Sequence, residues 1–333
     1  MFLSVWVFFY SARVFAQKNT NIEKAKLLKT YPENKKAKLV ATSYSSNYVF
    51  NISNNQVNVV NEESQDVISL EGNLDHVKHV FYNDHLRIDD FTARYTGGKT
   101  FRPQNMCGNY EVESIFYSDS KVCSYLMNFL YEGTEISLIS KTRYDDPKYL
   151  TSIFFHTSMP VENREISIEV PENITVELVE RNFDGFDIVK MQHKVGNKTN
   201  YVFSGKRMAA EKTEGNSLGA LYFYPQIIVV TKDFTTSTGR STVLSSVNDL
   251  YKWYGGLVAA VSNDPAYLKQ EVQRLTAQAK TAEEKMRAVY YWIQDNIKYI
   301  AFEDGIAGFK PGAAQNLYQN RYGDCKRMAT LTK

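Results

Sequence analysis

The stretch REISIEVPENITVELVE, residues 164–180, carries the pattern that decides the fold class of this chain. Ile166, Ile168 and Val170 alternate with polar residues, and the alternation resumes at Ile174 after a Pro-Glu-Asn break. A period of two places the apolar side chains on one face of a β-strand. The stretch therefore predicts two half-buried strands separated by a turn.

The same period of two continues through most of residues 38–235. Hairpins are predicted around the Asn-rich turn of YVFNISNNQVNVV, around Asn83-Asp84 and around Gly196-Asn197, and ALYFYPQIIVVT predicts a further strand pair. Strands that arrive roughly every 8–12 residues, with turn residues between them, indicate an antiparallel β-sandwich. We expect this domain to span residues 17–245.

The pattern changes after the β-rich segment. FTTSTGRSTVLSS, residues 234–246, is small and polar and is expected to be irregular. A helical linker is predicted over residues 246–280, with a helix start at Asp264-Pro265. A capping box at Thr281 and Glu284 then opens a stronger helix. The apolar face of that helix is predicted to hold Met286, Val289, Tyr290, Ile293 and Ile297.

Length and composition indicate a globular protein with more than one domain. The chain has 333 residues, of which 43% are hydrophobic and 23% are charged. The formal net charge is +2 and no basic block stands out, so no nucleic-acid partner is expected. The sequence has no P-loop, no dinucleotide-binding fingerprint and no metal-spaced Cys/His cluster. We therefore predict neither a cofactor nor a metal site.

The N-terminal sequence MFLSVWVFFYSARVFAQ is typical of an export signal. Phe2 to Tyr10 is apolar but too short to span a bilayer, and small or modest residues precede a cleavage position after Ala16. We predict that residues 1–16 are a signal peptide and that the mature protein is periplasmic or associated with the cell envelope, without a stable membrane span. A buried N-terminal strand is the alternative, since no Lys or Arg precedes the apolar run.

Cys107 and Cys123 are predicted to be free thiols. YEVESIFYSDSKVCSYLMNFLY, residues 110–131, is interpreted as two strands around a turn at 118–121, which puts Cys123 opposite Phe116 and Cys107 opposite Glu132. Roughly nine strand residues at about 3.3 Å each separate these two rows. A disulfide needs Cα atoms within about 7 Å. A disulfide between Cys107 and Cys123 is possible only if the chain folds back before Cys107.

The C-terminal stretch NRYGDCKRMATLTK, residues 320–333, contains a candidate nucleophile. Asp324 can cap a helix, and Cys325 then lies on its first turn. A helix N-terminus carries partial positive charge and unpaired N–H groups, which favour a thiolate and can receive an oxyanion. Gly323 allows a tight backbone turn before the helix. The alternative is that Cys325 is a small buried hydrophobe.

Two segments resemble the opening of the transglutaminase-like core. They are RAVYYWIQDNIKYIAF, residues 287–302, and FKPGAAQNLYQNRYGDCKRMATLTK, residues 309–333. The residues that match the family pattern are Trp292, Tyr299, Ala314, Leu317, Arg321, Gly323, Asp324 and Cys325. Upstream, FYSDSKV, DDPKYLTSIFFHTSMPV and EVPENITVELV are similar to the β-sandwich of unknown function that precedes such cores in exported proteins of Bacteroidetes type.

The resemblance implies a mainly β fold in which residues 281–333 form the helical N-terminal part of an α+β transglutaminase-like core. It also implies that Cys325 attacks the amide of a protein or peptide substrate, leading to peptide hydrolysis, amide transfer or deamidation. In the family, a histidine and an acidic residue follow the cysteine in the chain. None follows Cys325 before Lys333, so we expect a truncated core that is inactive alone.

A non-catalytic function is the alternative hypothesis to the enzymatic one. In it, the β-sandwich is a binding or structural module of the cell envelope and the core does no chemistry. The five histidines lie before the cysteine, in the predicted sandwich, and none is assigned a catalytic role: His76, His79, His85, His156 and His193.

Overall fold

The computed structural model describes residues 21–110, 120–212, 218–301 and 305–333. The predicted signal peptide, residues 1–16, lies outside the described residues, as do residues 111–119 of the predicted strand pair before Cys123. The chain forms two compact units. The first contains most of the residues before Ser246, and the second is centred on Ser246–Lys333.

The first unit begins with helix α1, residues 21–29, and a 3₁₀ helix, Pro32–Asn34. The first strands of the chain are β1 Leu39–Ser53, β2 Gln56–Ser69, β3 Leu74–Tyr82, β4 Leu86–Tyr95, β5 Thr100–Phe101, β6 Asn105–Asn109, β7 Lys121–Phe129 and β8 Glu135–Tyr144. After a 3₁₀ helix, Pro147–Tyr149, come β9 Ser152–Phe154, β10 Val161–Pro171, β11 Ile174–Arg181, β12 Ile188–Val195 and β13 Lys198–Met208. Helix α2, Ala220–Phe223, precedes β14 Gln226–Thr236 and β15 Gly239–Thr242.

These strands form three sheets. The largest has the order β12-β13-β10-β1-β2-β8-β4-β5, the second joins β11, β14, β15 and β9, and the third has the order β3-β7-β6. The predicted mainly β fold with C-terminal helices and antiparallel sheets is confirmed. One pair departs from the antiparallel pattern, because β1 and β10 run parallel with Tyr44 opposite Arg164.

The alternating pattern places one face of each long strand in the interior. Phe50 on β1 and Phe203 on β13 are fully buried, and Ile166 and Ile168 on β10 are buried beside them. The predicted Asn-rich turn joins β1 to β2, and the left-handed backbone of Asn54 and Asn55 matches the tight turns that asparagine tolerates. Burial of these apolar faces is the main favourable contribution to the fold.

The hairpin predicted at Asn83-Asp84 is wrong. Strand β3 pairs within the three-stranded sheet, whereas β4 pairs with β8 and β5 in the eight-stranded sheet. The residues at this turn therefore carry the chain from one sheet to another. Alternation identifies a strand and its buried face, but it does not identify the neighbouring strand.

Two further expectations for the end of this unit are corrected. The predicted strand pair at 220–231 contains one strand only, because Ala220–Phe223 form a short helix. The segment expected to be irregular after Phe234 instead continues β14 to Thr236 and forms β15, with Gly239 at a φ of +119°. A glycine accepts that backbone without the clash of a Cβ atom.

Cys107 and Cys123 form a disulfide, so the prediction of two free thiols is wrong. Strand β7 pairs with the earlier strand β6, and the N–H of Tyr110 donates to the carbonyl of Ser120 at 2.9 Å. Cys107 lies three residues before Tyr110, and Cys123 lies three residues after Ser120. The antiparallel register therefore places the two cysteines opposite each other. The register predicted from sequence placed Cys123 opposite Phe116, which is nine residues from Cys107 along the chain.

The second unit is mostly helical. Its elements are α3 Val247–Ala259, α4 Pro265–Leu275, α5 Ala282–Asn296, β16 Lys298–Tyr299, a 3₁₀ helix Gly305–Gly308, α6 Ala314–Asn320, β17 Tyr322–Gly323 and α7 Cys325–Thr332. The helix starts expected from sequence are confirmed. Asp264 accepts from the N–H of Ala266, and Thr281 and Glu284 form a reciprocal capping box.

The predicted apolar face of α5 is only partly covered within the described residues. Ile293 and Ile297 are buried, whereas Met286 and Tyr290 are 66% and 60% exposed. No helix in the described segments is both long and apolar enough to cross a membrane.

Candidate active site

Cys325 is the first residue of α7, and its side chain is exposed. Asp324 caps the helix from a buried position, since its Oδ1 accepts from the N–H of Arg327 at 3.0 Å. The Nζ of Lys326 lies 2.6 Å from Asp324 Oδ2. The cap and the ion pair neutralise the buried carboxylate. They fix where the helix begins, and so they fix the turn that presents the thiol.

The backbone leading into Cys325 is held by a short parallel ladder. The N–H of Lys298 donates to the carbonyl of Arg321 at 2.8 Å, and the N–H of Ile300 donates to that of Gly323 at 3.0 Å. These bonds join β16 to β17. The residues directly before the thiol therefore have fixed backbone partners on another element.

Gly323 is required by close packing rather than by an unusual backbone angle. A Cβ atom at this position would lie 2.6 Å from Leu317 Cδ1 and 3.2 Å from Arg327 Cδ. A Cβ atom at Gly312 would likewise lie 2.7 Å from Arg327 Nε. The side chain of Arg327, on the first turn of the cysteine helix, thus lies against two glycines.

Arg321 adopts a left-handed backbone with a φ of +61° at the end of α6. Its guanidinium carbon lies 4.3 Å from the ring centroid of Tyr318 and 4.7 Å from that of Trp292. The two rings stack on each other with centroids 5.5 Å apart. Cation–π contacts of this kind stabilise by about 0.5–1 kcal/mol each at exposed sites. They offset the cost of a left-handed backbone at a residue other than glycine.

A small apolar core packs against one side of α7. Ile293, Ile297 and Leu317 are buried, and Met328 and Leu331 of α7 pack against them. The three buried residues are 2–7% exposed, so α7 packs against a small apolar cluster.

This arrangement can support chemistry at a thiol. The first N–H groups of an eight-residue helix are partial positive charges that favour a thiolate and an oxyanion. Glycine and aromatic packing hold the turn in place. In the described part of the chain, no group of three or more His, Cys, Asp or Glu could hold a metal ion.

His156 and His76 lie in the first unit and have strongly shifted titrations. His156 is 8% exposed and its ring lies against Phe186 and Tyr224. Burial lowers its pKa to about 4. Burial, followed by the charge of Lys78, lowers the pKa of His76 to about 4 as well.

The three remaining histidines have local surroundings of other kinds. His79 Nδ1 lies 2.9 Å from the hydroxyl of Ser124, His85 stacks on Tyr149 at 4.1 Å, and His193 is on the exposed strand β12. The sequence from Ser246 to Lys333 contains no histidine. The described contacts of these histidines lie within the first unit.

Cys325, Asp324 and Gly323 were predicted from sequence, and Trp292, Leu317 and Arg321 were named as residues of the family pattern, but their contacts were not predicted. The Arg321–Tyr318–Trp292 stack joins residues from two helices and a turn, and residue types alone do not reveal such a contact. Gly312 was not singled out either, because its role depends on where the side chain of Arg327 lies. An arginine at the end of a helix, where glycine or asparagine is usual, is the signal that could have indicated a special contact.

One family model matches a part of the chain near its C-terminus. Residues 269–332 match the transglutaminase-like superfamily core. That range contains α5, the Arg321 stack and Cys325. No curated protein matches the chain at the sequence level.

Over most of the chain the fold is similar to that of a solved protein. A crystal structure of a candidate protease from Parabacteroides distasonis ATCC 8503 superposes with a TM-score of 0.61 at 13% identity, covering 89% of this chain and 58% of that chain. This chain thus spans less than two thirds of that protein. An M1 zinc metallopeptidase from Deinococcus radiodurans gives a TM-score of 0.31 at 11% identity, over 57% of this chain and 42% of that chain, which is too low to support an inference.

Proposed function

We propose that this chain carries the nucleophile of a cysteine-dependent acyl-transfer protein of transglutaminase-like type. The observation that carries the proposal is the exposed thiol of Cys325 on the first turn of α7, behind the buried cap of Asp324 and inside the matched range 269–332. The substrate class is the amide of a protein or peptide. The similarity to a candidate protease supports the fold but not the reaction.

The chemistry proceeds through a thioester. The thiolate of Cys325 attacks the amide carbonyl, the resulting oxyanion accepts hydrogen bonds at the helix N-terminus, and the amine leaves with a proton. Water then completes hydrolysis or deamidation, and a second amine completes transfer. The described geometry favours none of these three outcomes over the others.

The first step needs a base to take the thiol proton, and an acid must orient that base. The sequence of the second unit supplies the cysteine but no histidine. We therefore propose that a histidine base comes from outside residues 246–333, and that the 333-residue chain does not turn over amides alone.

Export belongs to the same proposal. The apolar run of Phe2 to Tyr10 and the small residues before Gln17 support removal of residues 1–16 and a place in the periplasm or cell envelope. N-terminal sequencing of protein from the producing cell should begin at Gln17 or its cyclised form. An intact Met1 on cytoplasmic protein would contradict export.

The activity test compares the 333-residue chain with an extended form, defined as this chain joined to any residues that its gene encodes after Lys333. The extended form should hydrolyse or transfer peptide amides, and Cys325→Ala should abolish that activity. The matched control, Cys107→Ala with Cys123→Ala, should retain it, because those cysteines form a structural disulfide. An inactive extended form would favour the alternative, a non-catalytic binding module of the cell envelope.

A further inference from the structure

A cleft of about 730 Å³ opens at one end of the largest sheet of the first unit. The segment Pro32–Leu39 forms one wall, residues 158–160 before β10 and residues 209–212 after β13 form another, and His76 of β3 contributes a side chain. The volume falls within the range of roughly 300–1,000 Å³ that is usual for ligand pockets. The proposed chemistry at Cys325 does not use this cleft.

The charges that line the cleft are unbalanced. Four lysines and two glutamates line it. Lys38 pairs with Glu71 at 3.0 Å, and Glu33 lies 4.0 Å from Arg207. In the described residues, the other three lysines have no carboxylate within ion-pair distance: Lys35, Lys36 and Lys212. Among the described lining residues, Glu211 and Glu33 are the carboxylates that oppose them, and the Oε1 of Glu33 is buried without a hydrogen-bond partner. Four lysines against two glutamates leave the lining with a positive excess.

The remainder of the lining is largely apolar. Leu39, Met159 and Pro160 line the cleft together with three alanines at 37, 209 and 210. Met159 and Pro160 are buried, which makes their part of the lining a packed surface. An apolar floor with cationic side chains around it suits a ligand that carries both apolar groups and negative charge.

His76 adds an unsatisfied polar group to the lining. Its Nε2 is buried and has no hydrogen-bond partner among the described residues. Burial lowers its pKa to about 4, so the ring is neutral at pH 7. The positive excess of the cleft therefore comes from lysines alone. A buried nitrogen without a partner is uncommon, and such groups concentrate at sites of ligand or water binding.

We propose that this cleft binds a short acidic peptide segment, with its carboxylates at Lys35, Lys36 and Lys212 and its apolar side chains on the floor. Two features favour a peptide over a phosphate compound. None of the described lining residues is an arginine, which would give bidentate phosphate recognition. The apolar floor would also gain nothing from a bare phosphate.

Binding to the full 333-residue chain tests the proposal by calorimetry. The probe is the tetrapeptide acetyl-Glu-Leu-Glu-Leu-amide, the isosteric control has Gln for both Glu, and inorganic phosphate is a separate competitor. The acidic peptide should bind at least tenfold more tightly than its neutral isostere. Its affinity should fall as salt is raised from low to molar concentration, because exposed ion pairs are screened.

Charge-reversal variants locate the site. Lys36→Glu with Lys212→Glu should weaken the acidic peptide at least tenfold. The matched control, Lys99→Glu with Lys269→Glu, changes the net charge equally at two exposed lysines outside the cleft, and it should change the affinity less than twofold. Lys36→Gln, a milder variant, should weaken binding about three- to fivefold if the double variant does not fold.

Three results would overturn the proposal. They are equal binding of the neutral isostere, equal weakening by the control variant, and displacement of the peptide by phosphate at matching affinity, which would make this a phosphate site. Cys325→Ala should leave peptide binding here unchanged. Failure of this proposal is therefore distinguishable from failure of the proposed chemistry.

Discussion

Replacing Arg321 separates two contributions to stability just before α7, namely the contacts of its side chain and the cost of its left-handed backbone. Arg321→Ala removes the contacts with Tyr318 and Trp292 but keeps the left-handed backbone at +61°. Two exposed cation–π contacts give a loss of about 1–2 kcal/mol. Arg321→Gly loses the same contacts but recovers about 1 kcal/mol, because glycine has no Cβ penalty in this conformation. The expected order of stability is wild type, then Gly, then Ala.

Hydrogen exchange measured by mass spectrometry gives a local readout. The amides of Lys298 and Ile300 are bonded to the carbonyls of Arg321 and Gly323. If the ladder opens locally, about 1–2 kcal/mol corresponds to exchange that is roughly 5- to 30-fold faster in Arg321→Ala. Arg321→Gly should accelerate exchange less than about fivefold. Arg287→Ala, which removes only an exposed pair with Glu283, is the control and should leave exchange within twofold of wild type. Equal and unchanged exchange in the Ala and Gly variants would refute the reasoning.

Three further predictions follow from other contacts. Thiol counting on denatured, unreduced protein should find one free thiol, and reduction should cost about 3 kcal/mol of stability because the Cys107–Cys123 bridge closes a loop of about 15 residues; three thiols before reduction would disprove the bridge. Since burial lowers the pKa of His156 to about 4, its contribution to stability is fully present above pH 6.5 and is lost as the pH falls towards 4. We expect the free energy of unfolding to fall by about 1–2 kcal/mol over this pH range, after allowance for solvent screening. Urea unfolding should show a smaller fall in His156→Phe than in wild type. Gly323→Ala should destabilise the second unit by about 1–3 kcal/mol through the clash with Leu317, and a variant as stable as wild type would show that the turn can relax.

The elements that could be predicted from sequence are those set by local chemistry. The capping box at Thr281 and the Asp264-Pro265 helix start depend on neighbouring residues only, and both are as expected. The same holds for the long alternating strands and for Asp324 as the cap of α7. In each case the residues that decide the structure lie within a few positions of each other.

The features that were missed depend on contacts distant in sequence. The choice of sheet for β3 and the pairing of β6 with β7 are decided by packing, and the disulfide follows from that pairing. The Arg321 stack and the crowding at Gly312 need the positions of side chains from separate helices. Residue types at Tyr318 and Trp292 suggest a core, but they do not indicate that an arginine lies against both rings.

The most direct measurement for the central claim is the mapping of an acyl adduct during amide turnover. The extended form should be mixed with a slowly deacylating peptide substrate, quenched in acid and digested for mass spectrometry. The account predicts an acyl mass on the peptide that contains Cys325, absent from Cys325→Ala and absent from the 333-residue chain under the same conditions. An adduct at another residue, or turnover that survives Cys325→Ala, would contradict the assignment of this thiol. Turnover by the 333-residue chain that vanishes in Cys325→Ala would contradict the proposal that this chain does not turn over amides alone, and it would point to a base among the five histidines before residue 246.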